Sequence, residues 1–174
     1  MNRKPHVIAV DAGSTDPGPY YLGAGESFTN RDAVKRDLEI MIESGLSNNI
    51  PVIIGTAGGS GGEVHLDWCK NIIYEIAKEN GYNFKLALIH SEISKNDIKE
   101  FFKNNKISPL GPVPPLSEED IEETTRIVGQ MGVEPFIEAL NEGANIILAG
   151  RTYDPSVFAA PAIKAGYDKG LSLH

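Results

Sequence analysis

The sequence contains a single cysteine, Cys69, among its 174 residues. One cysteine excludes an internal disulfide and a cysteine zinc cluster. Long apolar runs are also missing, because no stretch approaches the roughly 20 residues of a membrane-spanning helix. The basic N-terminus is followed only by the brief apolar run Val7 to Val10, which is too short for a signal peptide. These absences predict a cytoplasmic protein without a membrane partner.

Positive charge is scarce in this chain. It carries 16 Lys and Arg against 24 Asp and Glu, for a net charge of −8 and a pI of about 5.0. We therefore expect no nucleic acid partner, although a net acidic chain can still bind a small anion locally. The apolar fraction of 41% and the charged fraction of 23% are ordinary for a globular protein. The length predicts a single domain spanning residues 1–174.

Glycine, in contrast, is concentrated directly after the apolar run Pro51 to Ile54. The next eight residues hold five glycines, Gly55, Gly58, Gly59, Gly61 and Gly62, and a helical pattern extends from Glu63 to Gly81. A strand, a glycine loop and a helix in this order aim backbone N–H groups at an anion. The loop matches neither the P-loop nor the dinucleotide-binding pattern. It is either a closely packed turn or a ligand-facing loop, and we favour the latter because five glycines cost extra backbone entropy.

Four short apolar runs alternate with helical patterns along the chain, at His6–Asp11, Pro51–Ile54, Phe84–Ile89 and Asn145–Ala149. This alternation predicts an α/β fold, with a doubly wound, mainly parallel sheet and helices on both faces. In such sheets, ligands bind beyond the carboxyl ends of the strands. Polar clusters follow all four predicted strands, and we therefore predict that they wall one pocket.

Three connecting segments carry further predictions. The stretch Tyr20–Phe28 looks irregular, with aromatic rings that cover or line a cleft. A helix capped by Ser117 is predicted to carry Ile121, Val128 and Met131 on its apolar face. The pair Asp154-Pro155 has the form of an N-cap followed by proline at the first helical position, which predicts the start of the last helix.

The candidate catalytic residues are those that can transfer a proton at the predicted pocket: Asp11, His90 and Glu92. The candidate substrate-binding residues offer hydroxyls, backbone N–H groups, a guanidinium and a carboxylate. They are Ser14, Thr15, Gly58, Gly59, Ser60, Gly61, Gly62, Arg151 and Asp154.

Each charged candidate also has a structural alternative. Asp11 can cap a turn, and His90 can donate to a backbone carbonyl. Arg151 can pair with Asp154, or it can hold a substrate carboxylate or phosphate at two points. We favour the second role because Asp154 already serves the loop as a predicted cap. Asp11, His90 and Glu92 also have plausible ligand types for a divalent metal, a minor option without a spacing motif, and no cofactor is identified.

The chain resembles the N-terminal part of the acyclic terpene utilisation family from Val7 to His174. The resemblance rests on Asp11-Ala-Gly-Ser-Thr-Asp16, Pro51-Val-Ile-Ile-Gly-Thr-Ala-Gly-Gly-Ser-Gly-Gly-Glu63, Pro109-Leu-Gly-Pro112, Gly129-Gln-Met-Gly-Val-Glu-Pro-Phe136 and Ala149-Gly-Arg-Thr-Tyr-Asp154. The glycine loop and the last turn are its most specific parts. The resemblance implies the N-terminal portion of a longer, bacterial-type cytoplasmic protein in the catabolism of branched acids. These acids would be handled as acyl-CoA thioesters, with CoA as part of the substrate. The resemblance brings no established reaction.

Two functional hypotheses follow. In the first, the chain is a catabolic enzyme or its ligand-binding domain, and it acts on a small anionic substrate by hydration, isomerisation or lyase chemistry. In the second, it is a non-catalytic binding or assembly domain whose acids and histidine only hold loops in place. The expected partners are a small anionic ligand and either a second copy of the chain or a remaining C-terminal domain.

Overall fold

The computed structural model describes residues 4–172, and its described part contains a four-stranded, all-parallel sheet. The strands are β1 (Ile8–Asp11), β2 (Val52–Gly55), β3 (Leu86–Ile89) and β4 (Ile146–Ala149). Their spatial order is β1-β2-β4-β3. In the register, Ile53 pairs with Ala9 on one side and Ile147 on the other. The predicted parallel α/β fold is confirmed, with each strand close to its predicted place.

The helices surround this sheet. They are α1 (Tyr20–Ala24), α2 (Arg31–Asn48), α3 (Glu63–Asn80), α4 (Lys95–Lys103), α5 (Glu118–Glu123), α6 (Glu134–Asn141), α7 (Ser156–Lys164) and α8 (Lys169–Ser172). A short 3₁₀ turn, Ala57–Gly59, joins β2 to α3. Within residues 4–172, no helix combines the length and apolar character needed to cross a membrane.

The sheet has a hydrophobic core on each face. On one face, α2 and α3 cover Val52, Ile54, Ile146 and Leu148. On the other face, α6 and α7 cover Ile53, Ile147 and Ala149. Because side chains alternate across a strand, burial of both faces demands continuous apolar runs. All residues of β2 and β4 are buried, as that reasoning requires.

The strand order creates a crevice between β2 and β4. The chain leaves β2 toward α3 on one face of the sheet, and it leaves the neighbouring β4 toward α7 on the other face. Neighbouring strands whose connections diverge in this way leave a crevice at their carboxyl ends, where α/β proteins bind ligands. The glycine loop and Gly150-Arg151 meet at this point.

The segment 124–131 differs from its prediction. Helix α5 ends at Glu123, and Thr124 has an extended conformation with φ −60° and ψ 130°. The chain then crosses the carboxyl edge of the sheet, where Gly129 N donates to Ser91 O at 2.8 Å and Met131 N donates to Arg151 O at 3.1 Å. The prediction of a helix through Val128 and Met131 is therefore wrong. The apolar residues of segment 124–131 have helical spacing, but hydrogen bonds to the ends of β3 and β4 stabilise the extended conformation instead.

The segment 20–28 also differs from its prediction, because Tyr20–Ala24 forms α1. Gly25, at φ 75°, ends this helix in the left-handed conformation that glycine tolerates. The Tyr21 ring packs edge-on against both Tyr20 and Phe28. Aromatic packing thus holds a helix too short to be stable alone.

Candidate functional site

A cleft of about 420 Å³ lies at the carboxyl edge of the sheet. Four predicted substrate-binding residues line it: Ser14, Thr15, Ser60 and Arg151. The sequence analysis missed the other lining residues, which are Gly18, Pro19, Leu22, Val128 and Gln130. The lining that the structure describes holds one guanidinium, three hydroxyls and an amide, with no carboxylate. This mixture suits a small anion that carries an apolar part.

Two loops bring the cleft hydroxyls together. Ser14 N donates to Gly59 O at 3.1 Å, and Asp16 N donates to Ser14 Oγ at 3.1 Å. This contact requires glycine at position 13, because a Cβ there would lie 2.4 Å from the Thr56 methyl group. The loop after β1 therefore lies directly on the glycine loop, with Ser14 and Ser60 in one cleft.

Most of the glycine loop is buried against other protein segments. Gly58, Gly59 and Gly61 all have positive φ. A Cβ on Gly59 would lie 2.0 Å from the Phe28 ring, and one on Gly61 would lie 2.3 Å from Arg151 N. Close packing against protein thus accounts for these glycines, in line with the turn interpretation. Ser60 is the loop residue that lines the cleft, and binding of a ligand by the glycines themselves stays a prediction.

Ser91 joins the glycine loop to the ends of β3 and β4. Its buried hydroxyl donates to Gly61 O at 2.7 Å and accepts from Arg151 N at 2.7 Å. Gly150 N also donates to Ile89 O at 2.8 Å. These bonds hold the backbone of Arg151 at the cleft. Ser91 was not among the candidates, because only its place after a strand marked it in the sequence.

Arg151 and Asp154 form an ion pair. The guanidinium lies 3.6 Å from Asp154 Oδ1, and only 11% of the Arg151 side chain is exposed. This distance exceeds a hydrogen bond, so the guanidinium can still donate to a ligand. The prediction that Asp154 caps the last helix is wrong: Pro155 holds the N-cap position of α7 without a side-chain cap. The Asp154 carboxylate faces Arg151 instead. The structural pairing and the ligand-holding role of Arg151 both stay open.

Asp11 ends β1 opposite Gly55. Burial raises the pKa of its carboxyl above the ordinary 3.8, and the charge of Asp154 adds to this rise. The Gly13 N–H, the charge of Arg151 and the Thr56 side chain act in the opposite direction. A carboxyl that retains its proton to higher pH is better suited to acid–base chemistry. Asp11 therefore lies within the electrostatic reach of Arg151, although it is not among the described lining residues.

Thr56 is a neighbour of Asp11 that the sequence analysis missed. It is fully buried and has φ 46°, and its hydroxyl accepts from Thr152 N at 3.2 Å. A β-branched residue in this conformation is strained, and such strain often accompanies functional sites. In this conformation the Thr56 side chain contacts both the Thr152 backbone after β4 and the Asp11 carboxyl at the end of β1. Nothing in its local sequence, beyond the preceding glycine, marks this conformation.

His90 and Glu92 lie on the β3 side of the site. His90 Nδ1 is 2.9 Å from Glu63 Oε2, and both side chains are exposed. Glu92 Oε2 accepts from Glu63 N at 2.7 Å, in the first turn of α3. A helix N-terminus has unpaired N–H groups and favours negative charge. The carboxylate of Glu92 therefore holds the position that the sequence analysis assigned to a bound anion.

The candidate catalytic residues come from opposite edges of the sheet, and a shared reaction centre stays a prediction. Asp11 ends β1 and His90 follows β3, and these two outer strands are three strand spacings or roughly 14 Å apart. No group of three or more His, Cys, Asp or Glu side chains that can hold a metal ion occurs within residues 4–172. The structure thus does not assemble the metal site considered for Asp11, His90 and Glu92.

Two side chains outside the predicted set hold α1, which forms one wall of the cleft. His65 Nε2 lies 3.2 Å from Tyr21 O and 3.0 Å from Glu26 O. Arg126 Nη1 donates to Leu22 O at 3.2 Å and to Gly23 O at 2.5 Å. Leu22 and Gly23 lie in the last turn of α1, where carbonyls lack helical donors and attract the positive charge of Arg126. His65 and Arg126 thereby position Leu22 in the cleft.

A family model described as "Acyclic terpene utilisation family protein AtuA" matches residues 26–166. This match confirms the resemblance found in the sequence, and its range includes the glycine loop and the turn around Arg151. The motif from Asp11 to Asp16 precedes the matched range. No curated protein and no solved structure matches the chain.

Proposed function

The chain belongs to the acyclic terpene utilisation family, and we propose that its cleft binds a small branched carboxylic acid or the acyl-CoA thioester of such an acid. Family membership supports a role in terpene utilisation. The finer proposal concerns a catabolic step in the cytoplasm, with CoA entering only as part of the substrate.

The observation that carries the proposal is the position of Arg151. Its nearly buried guanidinium lies in a cleft whose described lining has no carboxylate, in a chain with a net charge of −8. A guanidinium can bind a carboxylate through two parallel hydrogen bonds. Ser14 and Ser60 supply hydroxyl donors beside it, while Leu22 and Val128 supply an apolar wall. An acid with a short branched tail satisfies both kinds of surface.

Hydration, isomerisation and lyase reactions of such acids all require a proton to move near the carbonyl group. Asp11 is the favoured group for this step, because its carboxyl interacts with the charges of Arg151 and Asp154. His90 and Glu92 belong to the far side of the sheet edge, so they would act on a different part of an extended substrate such as an acyl-CoA.

A second candidate function is a non-catalytic binding or assembly domain. The contacts of Glu92 with the start of α3 and of Glu63 with His90 favour it, since these side chains hold loops in place. In that case the cleft binds a ligand without turnover, and the partner is a second copy of the chain or a C-terminal domain.

The test begins with a thermal-shift screen of branched acids and acyl-CoA thioesters, since specific binding stabilises the folded state.

Calorimetric titration then compares the affinity of the wild type for a ligand found in this screen with that of Arg151→Gln. A hydrogen bond to a charged group contributes about 1.5–3 kcal/mol, so we expect Arg151→Gln to weaken binding by about 10- to 100-fold. Arg36→Gln is the matched control, because Arg36 is an exposed residue on α2. Unchanged affinity in Arg151→Gln would refute the proposed ligand contact.

Turnover separates the two candidate functions. The enzyme hypothesis expects Asp11→Asn to retain ligand binding and to lose product formation, while the binding-domain hypothesis expects no product from the wild type either. If Arg151→Ala and His90→Ala both leave ligand affinity and turnover unchanged, these residues have no part in the reaction.

A further inference from the structure

A second cavity lies between α2, α3 and the carboxyl ends of β1 and β2, and we name it the apolar chamber. Its volume is about 190 Å³, and its main walls are Val34, Leu38, Met41, Ile54, Trp68 and Cys69. Protein interiors are packed closely and contain few voids larger than a water molecule. This space borders the core and opens toward solvent at the exposed residues Thr29 and Asp37, so a small molecule can enter it.

Small residues form the wall of the chamber that meets the glycine loop. Ala12, Gly58 and Gly59 form that wall, and among them only Ala12 has a side chain, a single methyl group. Gly59 has φ 89°, a conformation that larger residues rarely adopt, and the Phe28 ring packs against it. The room left by the missing Gly59 side chain is therefore filled by the Phe28 ring, and that left by Gly58 is filled by His65.

The chamber is separate from the cleft that holds Arg151. The bond from Ser14 N to Gly59 O joins the two loops that divide them. Ser14 and Ser60 face the cleft, whereas Ala12 and Gly59 face the chamber. A ligand of the chamber therefore need not be the ligand of the cleft.

The chemistry of the chamber selects an uncharged molecule. Its described lining contains no cation, and its one charged residue is Asp37, with the hydroxyl of Thr29 nearby. Asp37 is exposed and pairs with Arg36 at 2.8 Å, so its charge lies on the solvent side. An anion that moved against the apolar walls would lose hydration without gaining a cationic partner. An apolar cavity of about 150 Å³ in another protein stays dry and binds benzene. We propose that the apolar chamber binds a small uncharged hydrocarbon group, branched or cyclic, slightly larger than benzene.

Trp68 makes this proposal directly testable, because it lines the chamber and is the only tryptophan in the sequence. Bromobenzene that enters the chamber will quench the Trp68 fluorescence through its heavy atom. We expect saturable quenching that excess benzene reverses, and much weaker quenching by 4-bromobenzoate, which carries a negative charge. Quenching that stays linear in concentration, or that is equal for both compounds, would show only collisions with an exposed ring and would overturn the proposal.

Filling the chamber provides the matched variants. Ala12→Leu places a larger side chain into the space, and we expect it to weaken bromobenzene binding at least tenfold. Ala165→Leu makes the same change at an exposed position at the end of α7, where binding should be unchanged. Retained saturable quenching in folded Ala12→Leu would overturn the proposal.

Methionine methyl NMR tests the wild type without relying on any variant. Met41 lines the chamber, while Met131 packs on the opposite face of the sheet. Addition of benzene should shift the Met41 methyl resonance and leave that of Met131 in place. An unmoved Met41 resonance at saturating benzene would mean that the chamber stays empty, and the proposal would then fail.

Discussion

Gly61 is the residue on which the junction between the glycine loop and β4 depends. Its φ is +73°, and a Cβ there would lie 2.3 Å from Arg151 N, 2.6 Å from Arg151 Cα and 2.7 Å from the carbonyl carbon of Gly150. All three neighbours are backbone atoms, which cannot rotate away as a side chain can. We therefore predict that Gly61→Ala forces the loop and β4 apart and strongly destabilises the protein.

The size of the effect has two parts. The left-handed conformation costs a residue with a Cβ about 1–2 kcal/mol. Overpacking in a closely packed region adds about 1–3 kcal/mol. The free energy of unfolding should thus fall by about 2–5 kcal/mol, a large share of the roughly 5–15 kcal/mol that holds a protein folded. For a protein of this size, a loss of 1 kcal/mol lowers Tm by about 2–4 °C, so we expect a fall of about 10 °C.

Gly81→Ala is the matched control. Gly81 ends α3 with φ +68°, and no atom lies within 4 Å of its added Cβ. It carries the same conformational cost without the collision, so its loss should be only about 1–2 kcal/mol. Urea unfolding followed by Trp68 fluorescence gives both values, provided that the two variants share the same m value. Equal losses in Gly61→Ala and Gly81→Ala would refute the close-approach argument.

Three further predictions concern single side chains. Glu92→Ala should lower the free energy of unfolding by about 1 kcal/mol, because the Glu63 N–H at the start of α3 loses its acceptor. Unchanged stability together with lost turnover would instead support a catalytic role for Glu92. The pKa of Asp11 is higher in the folded protein than the 3.8 of the unfolded chain. Its contribution to the free energy of unfolding is therefore complete below pH 3.8 and is lost as the pH rises through the pKa of the folded state. Asp11→Asn should therefore gain stability over the wild type as the pH rises in urea unfolding series, and a constant difference would contradict this. Burial raises the pKa of the Cys69 thiol to about 12, so iodoacetamide at neutral pH should modify Cys69 only after unfolding. Rapid labelling of the folded protein would contradict this prediction.

Local sequence was sufficient for the four strands and for the long helices α2 and α3. The apolar runs around Ile53 and Ile147 are uninterrupted because both faces of their strands are buried, and this pattern can be recognised without coordinates. The change to helical spacing after Gly62 predicts α3 for a similar reason, since burial of one helix face imposes its own period. Parallel strands then bring their carboxyl ends to one edge, which is why Ser14, Ser60 and Arg151 could be predicted to meet.

The arrangement within that edge depended on the tertiary structure. The order β1-β2-β4-β3 places Asp11 and His90 at the two opposite edges of the sheet. No local sequence pattern predicts this spatial order of the strands. The segment after Glu123 carries a helical pattern, yet it pairs with the ends of β3 and β4, because those ends offer hydrogen-bond partners distant in sequence. The roles of His65 and Arg126 are hidden for the same reason: the carbonyls that they contact belong to α1 and to Glu26 just after it, far away along the chain. Sequence alone determined the four strands and the long helices α2 and α3, since these follow from interactions between near neighbours. The tertiary structure decided which polar groups meet, because those contacts depend on how distant segments pack.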